Sequence, residues 1–115
     1  MKILRTMNGQ ELTKKEMYKL CLSDTTTSIK NLADNTQLSV SNYCEYEDID
    51  SKGNTQHLLS LKTDSGYFAT NSETFIRNFL KIAELFEEEG IINVVKVSGV
   101  TKSDKPFVNV TLADD

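Results

Sequence analysis

Three lysines and one phenylalanine lie close together near the end of the chain, and their types suit contact with a nucleic-acid strand. They are Lys96, Lys102, Lys105 and Phe107. They lie on or between two apolar runs, 94–99 and 107–112, that are joined by a short polar turn. If the runs pair as a β-hairpin, the ammonium groups can hold phosphates while the ring stacks on a base. The pattern predicts a hairpin that binds an unpaired strand.

Other rings and cations extend this prediction. Tyr43 is the best outward-facing ring of a long predicted strand, and Tyr67 begins a shorter one. Strand parity turns Tyr46 inward. Lys30 and Lys62 are further candidates for phosphate contact. Each ring also has a packing alternative, since Phe107 can cap a barrel end and Tyr67 can pack under a helix.

The sequence contains no catalytic signature. The single histidine, His57, lies beside Leu58 and Leu59 on a predicted strand, where a structural or exposed role is typical. No nucleophile elbow, phosphate loop or dinucleotide glycine pattern occurs. The acidic stretch 45–50 can hold a weak cation at most, and a solvated edge is the simpler interpretation. We therefore expect no enzyme activity, no cofactor and no metal, and a weak metal-dependent hydrolase is the least favoured alternative.

The two cysteines do not form a recognisable framework. Cys21 and Cys44 lack a CxxC spacing, and each lies among apolar residues. We interpret them as small buried hydrophobic residues in a reducing compartment. A disulfide between them requires that their two segments be neighbours in the fold.

Hydrophobic periodicity predicts a mainly β fold with one amphipathic helix. Alternation over 36–47 predicts a half-buried strand, and 55–62 and 67–70 complete a meander after turn signals. Ser72 is a good N-cap for a helix that ends at Gly90. Its apolar stripe is Phe75, Ile76, Phe79, Leu80, Ala83 and Phe86. With the closing hairpin, this order predicts a five- to six-stranded, partly open barrel like the oligonucleotide-binding (OB) fold, with the helix between the meander and the hairpin.

The first third of the chain is less regular. Residues 1–10 show no periodicity, so we expect a flexible segment followed by a single domain over 11–115. Residues 17–22 are apolar enough for a strand, although 11–19 also permit a helix. In the closing hairpin, Val95, Val97, Val108, Val110 and Leu112 are expected to face inward, which turns Val94, Lys96 and Phe107 outward.

Charge is unevenly distributed along the chain. The net charge is −4, which by itself disfavours a nucleic-acid partner. However, residues 1–30 carry three more positive than negative charges, and acid is concentrated in 45–50 and 84–89. An acidic protein can still present a basic groove if those groups face elsewhere. The run Glu87–Glu89 is unfavourable at a helix C-terminus. No apolar run of signal-peptide or membrane-span length is present, so we expect a soluble, intracellular protein with no membrane partner.

Several stretches resemble a known family. They are 28–36 (SIKNLADNT), 42–46 (NYCEY), 67–72 (YFATNS) and 96–103 (KVSGVTKS). Together they resemble the small single-stranded DNA-binding proteins of phages of Gram-positive bacteria, over about residues 17–112. The resemblance implies an OB fold, with Tyr43 and then Tyr46 as stacking rings. One departure is Asp104, which stands where the family usually has glycine.

The resemblance also implies a role and a place. It implies sequence-tolerant coating of displaced single strands during phage DNA replication, in the cytoplasm of the host bacterium. DNA, with RNA as an alternative strand, would be the main partner, and replication proteins would be further partners. A different class of function remains open: a protein-interaction module on the same barrel. That module would use the acidic groups at 45–50 and 84–89 to dock a host factor or to mimic nucleic acid.

Overall fold

The chain folds as one curled sheet with helices packed on it, in a computed structural model that describes residues 1–100 and 102–113. The strands are β1 (Lys2–Thr6), β2 (Thr27–Ser28), β3 (Gln37–Ile49), β4 (Thr55–Thr63), β5 (Gly66–Thr70), β6 (Ile92–Val100) and β7 (Pro106–Leu112). The helices are α1 (Lys14–Met17), extended by a π-helical turn at Tyr18–Leu22, and α2 (Glu73–Phe86). Over these described ranges, no helix is long and apolar enough to cross a bilayer.

Strand β3 is the centre of the sheet. Its whole length except the first residues pairs with β4, while its other edge pairs first with β6 and then with β1. The sheet order is β2-β5-β4-β3-β6-β7, and only β2 runs parallel to its neighbour. The end strands β2 and β7 are not paired with each other in the described residues. The predicted OB-like, partly open barrel is confirmed, with α2 between the meander β3–β5 and the hairpin β6–β7.

Helix α2 forms where its pattern predicts. The Ser72 hydroxyl accepts a hydrogen bond from the Phe75 amide at 3.2 Å and donates one to the Val108 carbonyl at 3.0 Å. The first bond caps the helix, and the second ties its start to β7. The apolar stripe is buried at Phe75, Ile76, Phe79 and Ala83. The helix ends at Phe86, and a 3-10 turn then leads to Gly90 in the left-handed region, at φ 89°.

Strand β3 departs from the predicted alternation after its first residues. Leu38 and Val40 face the main core as expected, but the pairing with β4 shifts between Val40 and Asn42. A bulge of this kind moves the following side chains to the other face. Tyr43, predicted to face outward, therefore lies in the main core. Tyr46 is buried as expected, but it packs on the opposite face of the sheet.

The expectation for the N-terminal segment is wrong. Residues 2–6 form β1 along β3, and Met7 is buried in the main core. The strand predicted at 17–22 is also wrong, because the chain there is helical, as the alternative allowed. Thr13 and Glu16 form a reciprocal cap at the start of α1. The Asn42 amide donates to the Glu16 carboxylate at 2.8 Å and holds α1 on β3.

In the closing hairpin, the side chains of β6 face the opposite way from the prediction. Val94 and Lys96 are buried, whereas Val95 and Val97 are partly exposed. The reason is register: Val94 lies opposite Leu38 of β3, and directly opposed residues share a face of the sheet. On β7, Val110 faces inward as predicted, but Leu112 is exposed.

Candidate nucleic-acid interface

Tyr43, the leading sequence candidate for base stacking, is sealed in the interior. Its side chain is 0% exposed, and its ring meets the Phe79 ring edge-on at 5.3 Å. Burial raises the pKa of Tyr43 to about 12, and the nearby Glu87 carboxylate contributes in the same direction. The assignment of Tyr43 to a DNA-contacting surface is therefore wrong.

The buried Tyr43 hydroxyl explains part of the acidic run after α2. Tyr43 donates to the Glu87 carboxylate at 3.2 Å, and Arg5 donates to its other oxygen at 3.0 Å. The Asn8 backbone amide donates to the same carboxylate, and the Asn8 side chain donates to the Glu87 carbonyl. Glu87 is thus a buried acceptor that connects β1, β3 and the end of α2. The sequence offered no signal that separates it from Glu88 and Glu89.

Tyr46 and Tyr67 lie on the outer face of the sheet, beneath the N-terminal helical segment. Tyr46 is 5% exposed and packs with Leu20 and Cys44, and the half-buried Tyr67 packs against the same cluster. The outer face of the second and third barrel strands is where OB barrels usually hold oligonucleotides. Here the turn Tyr18–Leu22 covers part of that face. Tyr46 is therefore unavailable for stacking, and Tyr67 offers only part of its ring.

The two cysteines meet in this same cluster, and both are free thiols. Cys21 is half-buried on the π-helical turn, while Cys44 is fully buried on β3. A hydrogen bond from the Cys44 thiol lowers the pKa of Cys21, and the same contact raises the pKa of Cys44. The pair is a thiol contact between the helical segment and the sheet.

Lys96 is a buried structural cation. Its side chain is 4% exposed, and its ammonium group donates to the Leu32 carbonyl at 2.7 Å and to the Asp34 carboxylate at 3.2 Å. Hydrogen bonds from Ser98 and from Lys96 lower the pKa of Asp34. Backbone bonds from Lys96 to Thr36 and from Asn35 to Lys96 complete this anchor. Its assignment as a phosphate contact is wrong, because its charge is already paired.

Phe107 remains accessible in part. The half-buried ring lies across Gly99 on the neighbouring strand, and the two residues are opposed in the β6–β7 register. A β-carbon at position 99 would come within 2.7 Å of the ring, so glycine is what allows this approach. The ring therefore lies against the backbone of β6, and Phe107 also lines a cavity.

The remaining candidate lysines are exposed, but they do not all lie on one surface. Lys30 lies on a 3-10 turn at Ile29–Asn31, and Lys102 and Lys105 lie in the turn between β6 and β7. Lys62, on β4, is near α1 instead. Hydrogen bonds from Thr13, and to a smaller extent the charge of Lys62, lower the pKa of Glu16. Lys62 therefore belongs to a different surface from Phe107.

Two neighbouring cavities share Lys30 in their lining, and together they form the Lys30 groove. One cavity, of about 450 Å³, is lined by Phe107, Pro106, Val108, Ser98, Ser72 and Lys30. The other, of about 330 Å³, is lined by the hydroxyl-rich segment 26–28, by Thr70 and Asn71, and by apolar side chains beneath them. No carboxylate lines either cavity among the described residues. The lining therefore supplies one cation and no anion, while the exposed Asp34 carboxylate lies beside it and is bonded to Ser98 and Lys96.

The other large depression has the opposite character. A cavity of about 590 Å³ between β1 and the end of α2 is lined by Glu84, Glu87 and Glu88 together with Arg5. Arg5 is already engaged by Glu87. This depression would repel a polyanion. It shares no lining residue with the Lys30 groove, so the two lie in separate places.

Sequence reasoning missed several residues of the Lys30 groove. Thr26, Ser28 and Asn71 were not among the predicted site residues. These residues lie together because β2 pairs with β5, with Thr27 opposite Phe68. A two-residue parallel pairing has no sequence pattern of its own.

His57 lies between two carboxylates. Its two ring nitrogens contact the Glu45 carboxylate at 2.6 Å and the Glu73 carboxylate at 2.9 Å, which links β3, β4 and α2. Across residues 1–100 and 102–113, no group of three or more histidine, cysteine or acidic side chains is arranged to hold a metal ion.

Comparison with known proteins returned no match to a protein-family model, to a curated protein or to a solved structure.

Proposed function

We propose that the protein binds single-stranded DNA in the Lys30 groove. The observation that carries this proposal is that Lys30 is shared by two carboxylate-free cavities, one of which presents the Phe107 ring. A strand lying there would place a base against Phe107 and a phosphate at Lys30. Stacking on an aromatic ring accepts any base, which supports a sequence-tolerant mode of binding.

The hairpin turn supplies further positive charge near the groove. Lys102 and Lys105 are exposed in the turn that follows β6, and Phe107 lies two residues beyond Lys105. Asp104, in the same turn, adopts a left-handed backbone with φ 59°, a conformation that favours glycine. Lys30 and Lys102 together can neutralise about two phosphates. For a single strand this predicts a slope of log affinity against log salt of about −1.4.

The biological role belongs to the same proposal and rests on the sequence resemblance. In that role the protein coats strands displaced during phage DNA replication, inside the host bacterium, and meets other replication proteins. The OB-like topology supports the strand-binding step, because OB barrels commonly use a sheet face and its flanking loops for oligonucleotides.

The test is a fluorescence-anisotropy titration of a labelled dT oligonucleotide with the wild-type protein and three variants, at several salt concentrations. Lys30→Gln should weaken binding and make the salt slope shallower by about 0.7. Phe107→Leu should weaken binding about tenfold with an unchanged slope, since one stacked base contributes about 1–3 kcal/mol. Lys81→Gln, an exposed lysine of α2 outside the groove, is the matched control and should leave both quantities unchanged.

Three results would overturn the proposal. The first is no change in anisotropy at low salt and micromolar protein. The second is equal loss of affinity in Lys30→Gln and Lys81→Gln, which would indicate diffuse attraction rather than a groove. The third is a preference for duplex DNA. Capture of a protein through the acidic cavity, in the absence of any DNA affinity, would favour the interaction-module alternative.

A further inference from the structure

Both cysteines of the chain lie in one small cluster, although they come from different elements. Cys44 is on β3, and Cys21 is on the π-helical turn Tyr18–Leu22, which packs on that strand. A covalent bond between two thiols requires such neighbouring segments. The chain has two cysteines, so no third thiol within it competes for either of them.

The two side chains meet thiol to thiol. A hydrogen bond links them, and it lowers the pKa of Cys21 while it raises the pKa of Cys44. For Cys21 this bond outweighs burial and the negative charge of Asp48, which act in the opposite direction. Cys21 is therefore the thiol that more readily becomes a thiolate, and Cys44 is the protonated thiol beside it.

Cys21 is also the more accessible of the two. It is half-buried and contributes to the lining of the cavity of about 330 Å³, whereas Cys44 is 0% exposed. A small oxidant therefore meets Cys21 first, and Cys44 reacts through Cys21. An accessible cysteine of low pKa with a second thiol in contact is the arrangement of a peroxide-sensitive cysteine and its resolving partner.

Few side chains hold α1 and its π-helical turn on the sheet. Leu20 is the buried anchor of the turn, and the Asn42 amide donates to Glu16 of α1 at 2.8 Å. Tyr18 and Leu22, on the same turn, are 57% and 56% exposed. The cluster beneath the turn is separate from the main core. Because segments with few buried apolar contacts open more easily than the core, a covalent link here would restrict this segment most.

We propose that Cys21 and Cys44 form a reversible disulfide when the protein meets a hydroperoxide, and that this bond fastens the helical segment 14–22 to β3. With hydrogen peroxide, the Cys21 thiolate attacks one oxygen and the O–O bond breaks. Cys21 becomes a sulfenic acid, and the departing hydroxide takes up the proton that Cys21 released. This inference goes beyond strand binding and does not depend on it.

The second step closes the bond. The Cys44 sulfur attacks the Cys21 sulfur, the S–O bond breaks, and the hydroxide leaves as water with the Cys44 proton. Two thiols and one hydrogen peroxide thus give one disulfide and two waters. A dithiol such as dithiothreitol restores both thiols by exchange and is itself oxidised to a disulfide.

The experiment treats the folded wild type, Cys21→Ser and Cys44→Ala with a small excess of hydrogen peroxide. Trypsin cleavage after Lys30 places the two cysteines in separate peptides, 20–30 and 31–52. Wild type should lose about 2 Da and give these two peptides joined, and dithiothreitol should separate them again. Cys44→Ala lacks the resolving thiol and should keep a sulfenic acid at Cys21 that dimedone traps. Cys21→Ser should keep Cys44 unmodified.

Two further measurements test whether the bond fastens the segment. Amide hydrogen exchange over 18–22 should slow by about tenfold in oxidised wild type, because opening of the turn is then restricted. The urea midpoint should rise by about 1 M, since the bond also restricts the unfolded chain. The same peroxide treatment of Cys21→Ser should change neither quantity.

The disulfide is refuted if both thiols of folded wild type survive a treatment that oxidises free cysteine in the same tube. It is equally refuted if Cys21 proceeds to sulfinic acid while Cys44 stays a free thiol, or if the disulfide joins two chains instead. A disulfide that forms within the chain but leaves exchange over 18–22 unchanged would overturn the fastening of the helical segment. None of these measurements involves DNA, so failure here is distinct from failure of strand binding.

Discussion

The Tyr43 hydroxyl donates a hydrogen bond to the Glu87 carboxylate at 3.2 Å, across 44 residues of sequence. This bond joins the centre of the sheet to the end of α2, and Arg5 of β1 donates to the same carboxylate. A tyrosine that parity assigned to the surface and a glutamate that is unfavourable at a helix end are thus partners in the interior. Each supplies what the other requires, a buried donor and a buried acceptor.

We expect the loss of either partner to destabilise the fold. Glu87→Ala leaves the Tyr43 hydroxyl and the Arg5 side chain without their acceptor, so the free energy of unfolding should fall by about 1–3 kcal/mol. Tyr43→Phe removes the donor together with the cost of desolvating it. The free energy of unfolding should therefore fall by less than in Glu87→Ala. Urea unfolding followed by circular dichroism measures both. Glu88→Ala, one residue further along, is the control, and an equal loss in that variant would contradict the role of Glu87.

Lys96 and Lys30 should behave in opposite ways when each is replaced by methionine. Lys96→Met removes the donor to the Leu32 carbonyl and to Asp34, so we expect a loss of about 1–3 kcal/mol in unfolding free energy. Lys30→Met alters an exposed side chain and should stay within about 0.5 kcal/mol of wild type. In the DNA titration the order reverses, because only Lys30 lines the groove. A shallower salt slope for Lys96→Met than for Lys30→Met would refute this division.

His57 should make stability depend on pH. Burial acts to lower the pKa of His57, but its hydrogen bonds with Glu45 and Glu73 outweigh burial and raise the pKa above its ordinary value. The unfolded chain has a histidine pKa of about 6.5. The stabilisation is therefore complete below about pH 6.5 and is lost as pH rises through the higher pKa of the folded state.

The measurement is the urea midpoint of wild type and of His57→Gln between pH 5.5 and 8.5. The wild-type midpoint should decline over the upper part of this range more than the variant midpoint does. Because the chain has one histidine, its imidazole signal in an NMR titration reports the folded-state pKa without ambiguity. A folded-state pKa below the unfolded value would contradict the effect of the two carboxylates.

Gly99→Ala should affect DNA affinity more than stability. The added methyl group would lie 2.7 Å from the far end of the Phe107 ring, which must turn away to avoid it. We expect the change in unfolding free energy to stay below about 1 kcal/mol, because the ring is half-buried and can move. Affinity for dT oligonucleotides should fall about tenfold with the loss of one stacking surface. Val100→Ala, an exposed change on the same strand, is the control, and unaltered affinity in Gly99→Ala would remove Phe107 from the interface.

The two thiols should differ in reactivity. Cys21 is partly exposed and has a lowered pKa, whereas Cys44 is 0% exposed with a raised one. Because the thiolate is the reactive form, iodoacetamide at neutral pH should modify Cys21 at least about tenfold faster than Cys44. Peptide mass spectrometry over a time course measures both rates. Cys21→Ser should leave the folded protein nearly unlabelled. Rapid labelling of Cys44 in that variant would show that its cluster with Leu20 and Tyr46 opens.

Local pattern was enough to predict much of the framework. The hydroxyl at Ser72, the stripe from Phe75 to Ala83 and the glycine at 90 define α2 through contacts within a few residues. The strands of the meander and the closing hairpin follow from period-two alternation between turn signals. These elements in this order leave few barrel topologies, and the OB-like arrangement was among them.

Tertiary structure decided which side chains of the strands point into the core. The bulge after Val40 and the pairing of Val94 with Leu38 set which residues of β3 and β6 are buried, and neither can be read from one strand alone. A one-residue shift reverses every side chain that follows it, so Tyr43 and Lys96 changed from predicted contacts to interior residues. The groove has a similar origin. Lys30 lines one cavity with Thr26 and another with Phe107 because β2 joins β5 and the hairpin packs on α2, and such long-range pairings leave no local mark in the sequence.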